Sequence, residues 1–122
     1  MENKWKSKNL LYAFKNSVNG IKNSIKNQIN LKIQILIAIV VVVLGFLFEF
    51  NISDFIILTI TIFIVFITET INTAIETVVD LCTDEYNEKA KLAKDIAAGA
   101  VTLSAINSII VGVLLFGSKI LY

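Results

Sequence analysis

FIILTITIFIVFITETINTAIETVVD, residues 55–80, is the stretch that decides the fold. Residues 55–68 carry no charged side chain, whereas residues 69–80 carry Glu69, Glu76 and Asp80. A membrane-spanning helix needs about 20 predominantly apolar residues, and the run reaches that length once its flanking turns are included. The helical pattern continues to about Leu81. Each helical residue turns by about 100°, so Glu69, Asn72, Glu76 and Asp80, spaced by three, four and four, fall on one narrow face. Glu69 and Glu76 then lie roughly 10 Å apart along the axis. A carboxylate at the centre of a spanning helix costs about 2.5–3.5 kcal/mol, and less near the interface. A helix that only had to span would not need this line of oxygens.

Two further apolar runs flank the stretch. Ile33 to Phe48 is broken only by Gln34, and it spans once extended to Leu31–Phe50. Ile96 to Phe116 has only small or weakly polar interruptions. Spanning helices are therefore predicted over about 31–50, 55–81 and 94–118. Ahead of them Leu10, Leu11, Phe14, Val18, Ile21 and Ile25 recur at helical spacing, with Lys8, Lys15, Lys22 and Lys26 mostly off that stripe. A basic amphipathic helix over about 5–28 lies in the membrane surface rather than across it. The fold class expected is all-α and integral to the membrane: three transmembrane helices plus an N-terminal amphipathic surface helix, one domain over 1–122. Composition agrees, with 56% hydrophobic and 17% charged residues in 122, against about 45–50% and about 25% in soluble domains.

Orientation follows from the lysines. Residues 1–32 hold seven of the eleven lysines and one acid, Glu2. The first connection, around Glu49 to Asp54, has acids and no lysine, while the second carries Lys89, Lys91 and Lys94. The positive-inside rule places the N-terminus and second connection in the cytoplasm, and the first turn and C-terminus outside. The first run does not read as a secretory signal peptide, because its polar leader is too long and no small-x-small site follows.

Several chemistries are excluded. Without histidine, the single Cys82 supports neither a Cys/His zinc site nor a Cys–His nucleophile. Without arginine, bidentate guanidinium contacts to phosphate are ruled out. GVLLFGSK, residues 112–119, resembles a P-loop only by its glycines; the order is Gly-Ser-Lys and it ends a helix rather than opening one. The basic N-terminus alternates with a greasy face suited to lipid, so no nucleic acid is expected.

What remains is a set of hard oxygen ligands at a membrane boundary. Such ligands suit Mg²⁺, which is commonly held by one or two carboxylates together with substrate phosphates. A carboxylate left over can serve as a base for a hydroxyl. The combination fits phosphoryl transfer. In the charged connection LCTDEYNEKAKLAKDIAAGAV, residues 81–101, Lys94 can contact phosphate, and its neighbour Asp95 can orient it or bind an adenine or ribose group. Ala97, Ala100, Ser104, Ser108 and Gly112 form a stripe of small residues that lets helices approach closely in lipid, with Asn107 beside it.

ETINTAIETVVDL followed by DEYNEKAKLAKDIAAGAV resembles the signature of the small prokaryotic lipid kinases, the family of diacylglycerol kinase and undecaprenol kinase. The likeness covers about residues 10–115. It implies a multi-pass protein of the bacterial cytoplasmic membrane, a homotrimer with sites shared between subunits, ATP with Mg²⁺ as phosphate donor, and a membrane lipid alcohol as acceptor. It implies Glu69 as general base facing the lipid, Asn72 as its positioning neighbour, and Glu76 as a Mg²⁺ ligand near the nucleotide. Asn16, Asp80, Glu85, Tyr86, Asn87, Lys94 and Asp95 would line the nucleotide, and Ala98 the lipid. One departure stands in SIKNQINLK, residues 24–32: the family usually has a Glu where this chain has Gln28, and that Glu is expected to share the metal with Glu76. VVDL and AKDIAAGAV look more like the branch that phosphorylates undecaprenol, with diacylglycerol as the competing acceptor.

Two other classes compete. A small proton or cation transporter would use a buried Glu69, but would place its acid nearer the bilayer midplane. An assembly subunit held by the small-residue stripe leaves the acid line without a purpose.

Overall fold

A computed structural model describes residues 9–122, and among them all regular structure is helical. The order is α1 (Leu10–Asn27), α2 (Ile29–Leu47), α3 (Ile52–Cys82) and α4 (Glu88–Leu121). The last three are each long and apolar enough to cross a membrane.

Helix α1 starts where the Asn9 side chain accepts a hydrogen bond from the Tyr12 amide at 2.9 Å. No residue of α1 is buried, and Leu10, Leu11, Phe14 and Ile21 all stand exposed along it. That unpartnered stripe, with lysines off it, fits a helix lying in the bilayer surface. The first residues expected in this helix, 5–8, including Lys8, lie outside the described residues. A single extended residue, Gln28, separates α1 from α2. The chain thus bends from the surface helix into the first spanning helix without a loop.

The turn after α2 is a Schellman cap. The Phe50 amide donates to the Gly45 carbonyl at 2.9 Å and the Glu49 amide to the Phe46 carbonyl at 3.2 Å. This cap needs a left-handed residue, and Glu49 supplies it at φ 57° where glycine is usual. Helix α3 then opens on a capping box. The Asn51 side chain accepts from the Asp54 amide at 2.9 Å, and the Asp54 carboxylate accepts from the Asn51 amide at 3.1 Å. Phe50, Leu58 and Leu115 form the apolar core at this end, with Phe55 and Phe116 packed on it. Gly45 allows the close approach: a Cβ there would meet the Phe55 and Phe50 rings at 3.0 and 3.1 Å.

Helices α3 and α4 run antiparallel as the principal packed pair, and α2 lies against α3 more lightly. At 1.5 Å per residue α3 is about 46 Å long and α4 about 51 Å, both longer than a hydrocarbon core of about 30 Å. Both therefore have several turns beyond the length a span needs. Helix α4 begins at Glu88, six residues before the expected 94, because the Asn87 side chain caps it by accepting from the Lys89 and Ala90 amides. The charged stretch that follows consists mostly of good helix formers. Only Thr83–Asn87 connects the pair.

In lipid, helices are held by close packing and by polar contacts rather than by a hydrophobic force between them. Three such contacts tie α3 to α4. The Thr68 hydroxyl donates to Ser104 Oγ at 2.9 Å within the apolar region. Lys94 pairs with Asp80 at the connection end at 2.6 Å, and Lys119 with Asp54 at the turn end at 3.1 Å.

Candidate active site

The expected acid line exists, and its burial is graded. Glu69 is 3% exposed and Asn72 8%. Glu76 is half-buried and the Asp80 side chain is 68% exposed. The line therefore runs from the packed interior of the helix pair to water. Across from it Ala97 and Ser104 of α4 are also buried, and their small side chains allow the two backbones to approach. Of the small-residue stripe, Ser108 and Gly112 are half-buried while Ala100 and Asn107 face outward.

Asn72 is the hinge of the polar arrangement. Its Nδ2 donates to Glu76 Oε1 at 3.2 Å. Its Oδ1 is buried and has no partner. A buried amide oxygen without a donor carries an uncompensated desolvation penalty of about 1–3 kcal/mol. Such a group leaves an acceptor open to a hydrogen-bond donor or a cation. The threonines of α3 do not compete for that role. Thr70 and Thr73 each donate to a carbonyl four residues earlier, at 2.7 and 3.0 Å.

At the exposed end, Lys94 does not engage Asp95, contrary to the expectation that Asp95 orients it. Consecutive residues on a helix point about 100° apart and cannot face each other. Lys94 instead reaches across to Asp80 of α3, and Asp95 takes Lys91 one turn away on its own helix at 2.6 Å. Both carboxylates sit where an anionic ligand would otherwise meet the ammonium groups. Lys91, read from the sequence only for orientation, and the pairing of Thr68 with Ser104 were not expected at the site. Lys91 was visible only through its i,i+4 spacing to Asp95, and Thr68 only as the neighbour of Glu69.

The remaining expected residues are not gathered in the same way. Asn16 lies exposed on α1 and Ala98 exposed on α4. Glu85 and Tyr86 stand exposed in the connection, and the Asn87 side chain is taken up in capping α4. Gln28 sits half-buried at the bend between α1 and α2, with no side-chain capping bond. Among the described residues no three His, Cys, Asp or Glu side chains converge as a metal cage. One carboxylate, Glu76, beside the unpartnered amide oxygen of Asn72 is a hard-oxygen set suited to Mg²⁺, whose coordination is ordinarily completed by phosphate and water.

Comparison with known proteins gives the arrangement a context. The family model described as prokaryotic diacylglycerol kinase matches residues 15–116. An undecaprenol kinase of Bacillus subtilis is 47% identical over 76 residues, covering 62% of this chain and 62% of that protein. A diacylglycerol kinase of Synechocystis sp. is 54% identical over 57 residues, covering 46% of this chain and 33% of that protein. The chain thus spans less than two thirds of the length of each of these curated relatives.

Proposed function

This chain belongs to the prokaryotic diacylglycerol kinase family, and we propose that it is a lipid kinase that transfers the γ-phosphate of ATP to a membrane lipid alcohol, undecaprenol. The observation that carries this reading is the buried Glu69 and Asn72 continuing through Glu76 to a lysine-bearing, water-exposed end. A lipid hydroxyl never leaves the bilayer and a nucleotide never enters it. The graded line gives each a place on one continuous face.

In this mechanism Glu69 accepts the proton of the lipid hydroxyl. The lipid oxygen bonds to the γ-phosphorus, the bond to the β–γ bridging oxygen breaks, and ADP leaves. Asn72 holds Glu76 through its Nδ2 and presents its free Oδ1 to the reacting groups. Lys94 moves from Asp80 to the phosphates, its ammonium exchanging one set of anionic oxygens for another. Asp95, Asp80, Glu85, Tyr86, Asn87 and Asn16 border the nucleotide, and Ala98 the lipid. Mg²⁺, held by Glu76 with the amide oxygens of Asn72 and Gln28, would neutralise phosphate charge. Gln28 brings an oxygen but no charge, so metal affinity is expected to rise in Gln28→Glu.

The protein works as a homotrimer in the cytoplasmic membrane, with the α3–α4 connection on the cytoplasmic side and the C-terminus outside, in keeping with the lysine distribution. Undecaprenol is favoured over diacylglycerol by the undecaprenol kinase relative, which matches more of this chain. The test is incubation of the purified protein in detergent with labelled ATP, Mg²⁺ and each alcohol in turn. Labelled undecaprenyl phosphate is expected. Label on diacylglycerol alone would transfer the reading to that acceptor, and label on neither would overturn it.

A further inference from the structure

The acid line of α3 carries two carboxylates one helical turn apart, Glu76 and Asp80. Side chains at i and i+4 share a face, with Cβ atoms about 5–6 Å apart, and two ligands so placed can hold one ion. Beside Glu76, Asn72 Oδ1 is buried and has no donor, while the same amide is anchored through Nδ2 on Glu76 Oε1 at 3.2 Å. Two carboxylates and an open amide oxygen form a hard-oxygen set of the kind that Mg²⁺ and Mn²⁺ take.

A cation already stands at the outer end of this set. The Lys94 ammonium lies 2.6 Å from Asp80 Oδ1, and Glu76 attracts it as well. This charge is delivered by α4, because α3 contains no lysine of its own. An ammonium and a divalent cation compete for the same oxygens. A triphosphate changes the balance, since it offers the lysine a denser set of anionic oxygens. Once the lysine turns to the phosphates, Asp80 is left without a counter-ion beside Glu76.

Resting on the kinase reading, we propose that Asp80 is a further metal ligand alongside Glu76, which Lys94 keeps closed until nucleotide phosphates draw the lysine away. Asp80 then supplies the second carboxylate charge that Gln28 does not bring. A bare divalent cation meets a set that Lys94 has partly neutralised and binds weakly. A cation that arrives with a nucleotide meets two free carboxylates. Metal and nucleotide therefore favour each other's binding, and the coupling is reciprocal. Removal of Lys94 acts in opposite directions on the two: it weakens the hold on phosphate and strengthens the hold on metal alone.

The test is Mn²⁺ titration of the nucleotide-free, full-length protein in detergent, with free Mn²⁺ read from its EPR signal, so that no turnover is involved. Lys94→Met is expected to bind Mn²⁺ about three- to tenfold more tightly than the native protein, the solvent-screened effect of one positive charge beside a divalent ion. Asp80→Asn added to Lys94→Met is expected to abolish the gain. Asp84→Asn added to Lys94→Met removes the same charge from the connection and is expected to keep it. Lys91→Met frees Asp95, which has no second acid within a turn on α4, and is expected to leave Mn²⁺ affinity unchanged. The Lys94–Asp80 pair is exposed, so the variants are expected to fold as the native chain does.

Mn²⁺ affinity unchanged or weakened in Lys94→Met would overturn the proposal. So would a gain that survives Asp80→Asn, that is lost equally in Asp84→Asn, or that Lys91→Met matches. In each of these cases labelled lipid phosphate made by the native protein would leave the kinase reading intact. If the native protein transfers no phosphate while the Asp80-dependent gain is present, the kinase reading fails and the cation site stands.

Discussion

The two halves of the α3–α4 pair are built from opposite materials. Toward the Phe48–Asn51 turn the buried residues are Phe50, Leu58, Leu115 and Thr61, whose hydroxyl is spent on the Ile57 carbonyl, and the Phe50 and Phe116 rings sit 4.9 Å apart. Toward the Thr83–Asn87 connection the buried residues on α3 are Glu69 and Asn72, facing Ala97 and Ser104. One half resembles the core of a soluble protein. The other buries groups that are costly to desolvate and leaves one amide oxygen unpartnered. On the proposed mechanism, stability and chemistry are divided along the length of one helix pair, and each half is expected to fail in its own way.

Glu69→Gln should have the largest effect. Loss of a general base lowers turnover about 10²–10⁴-fold, the equivalent of roughly 3–5 kcal/mol. Stability should not fall, since an amide of nearly the same shape replaces the buried carboxyl group. Phe50→Ala should do the reverse, costing about 3 kcal/mol of stability, read from thermal unfolding in detergent, with kcat retained in the folded fraction. A Phe50→Ala protein that is stable but catalytically dead would erase the division between the halves.

Lys94→Met is next. A hydrogen bond to a charged group contributes about 1.5–3 kcal/mol, so KM for ATP should rise roughly 10- to 100-fold while KM for the lipid holds. Stability should barely move, because the Lys94–Asp80 pair is exposed and such pairs contribute about 0–1 kcal/mol. A large loss of stability would mean that the pair is a structural clamp. Glu49→Gly relieves a left-handed residue in the turn and should raise stability by about 1 kcal/mol with no kinetic effect. Thr68→Val is the smallest: one interhelical hydrogen bond in lipid averages about 0.6 kcal/mol. A drop in kcat in Thr68→Val beyond that figure would show that the bond also fixes the neighbouring Glu69.

Much of this division was legible before any coordinates. The charge-free run of residues 55–68 reaches spanning length once its flanking turns are added, and on that helix the three-four-four spacing of Glu69, Asn72, Glu76 and Asp80 falls on one face. The bend at Gln28 and the cap at Asn87 were less visible. Each turns on one polar residue between helix-forming stretches, and the charges of residues 88–94 read as a wet connection although they favour a helix. The partner of Lys94 was not legible at all. It depends on the register between two antiparallel helices, which places Asp80 opposite Lys94 and which no local spacing records. The apolar groove lined by Gln34, Leu58 and Phe116 draws on α2, α3 and α4, so it is a property of three helices and of no single motif.

The claim that Glu69 serves the transfer step, and not the binding of either substrate, has a direct measurement. Glu69→Gln is assayed for MgATP affinity by equilibrium dialysis and, in the same preparation with undecaprenol, for labelled lipid phosphate. The expected result is native-like nucleotide affinity with transfer reduced at least about a hundredfold. Transfer at the native rate, or loss of nucleotide affinity in step with loss of transfer, would contradict it.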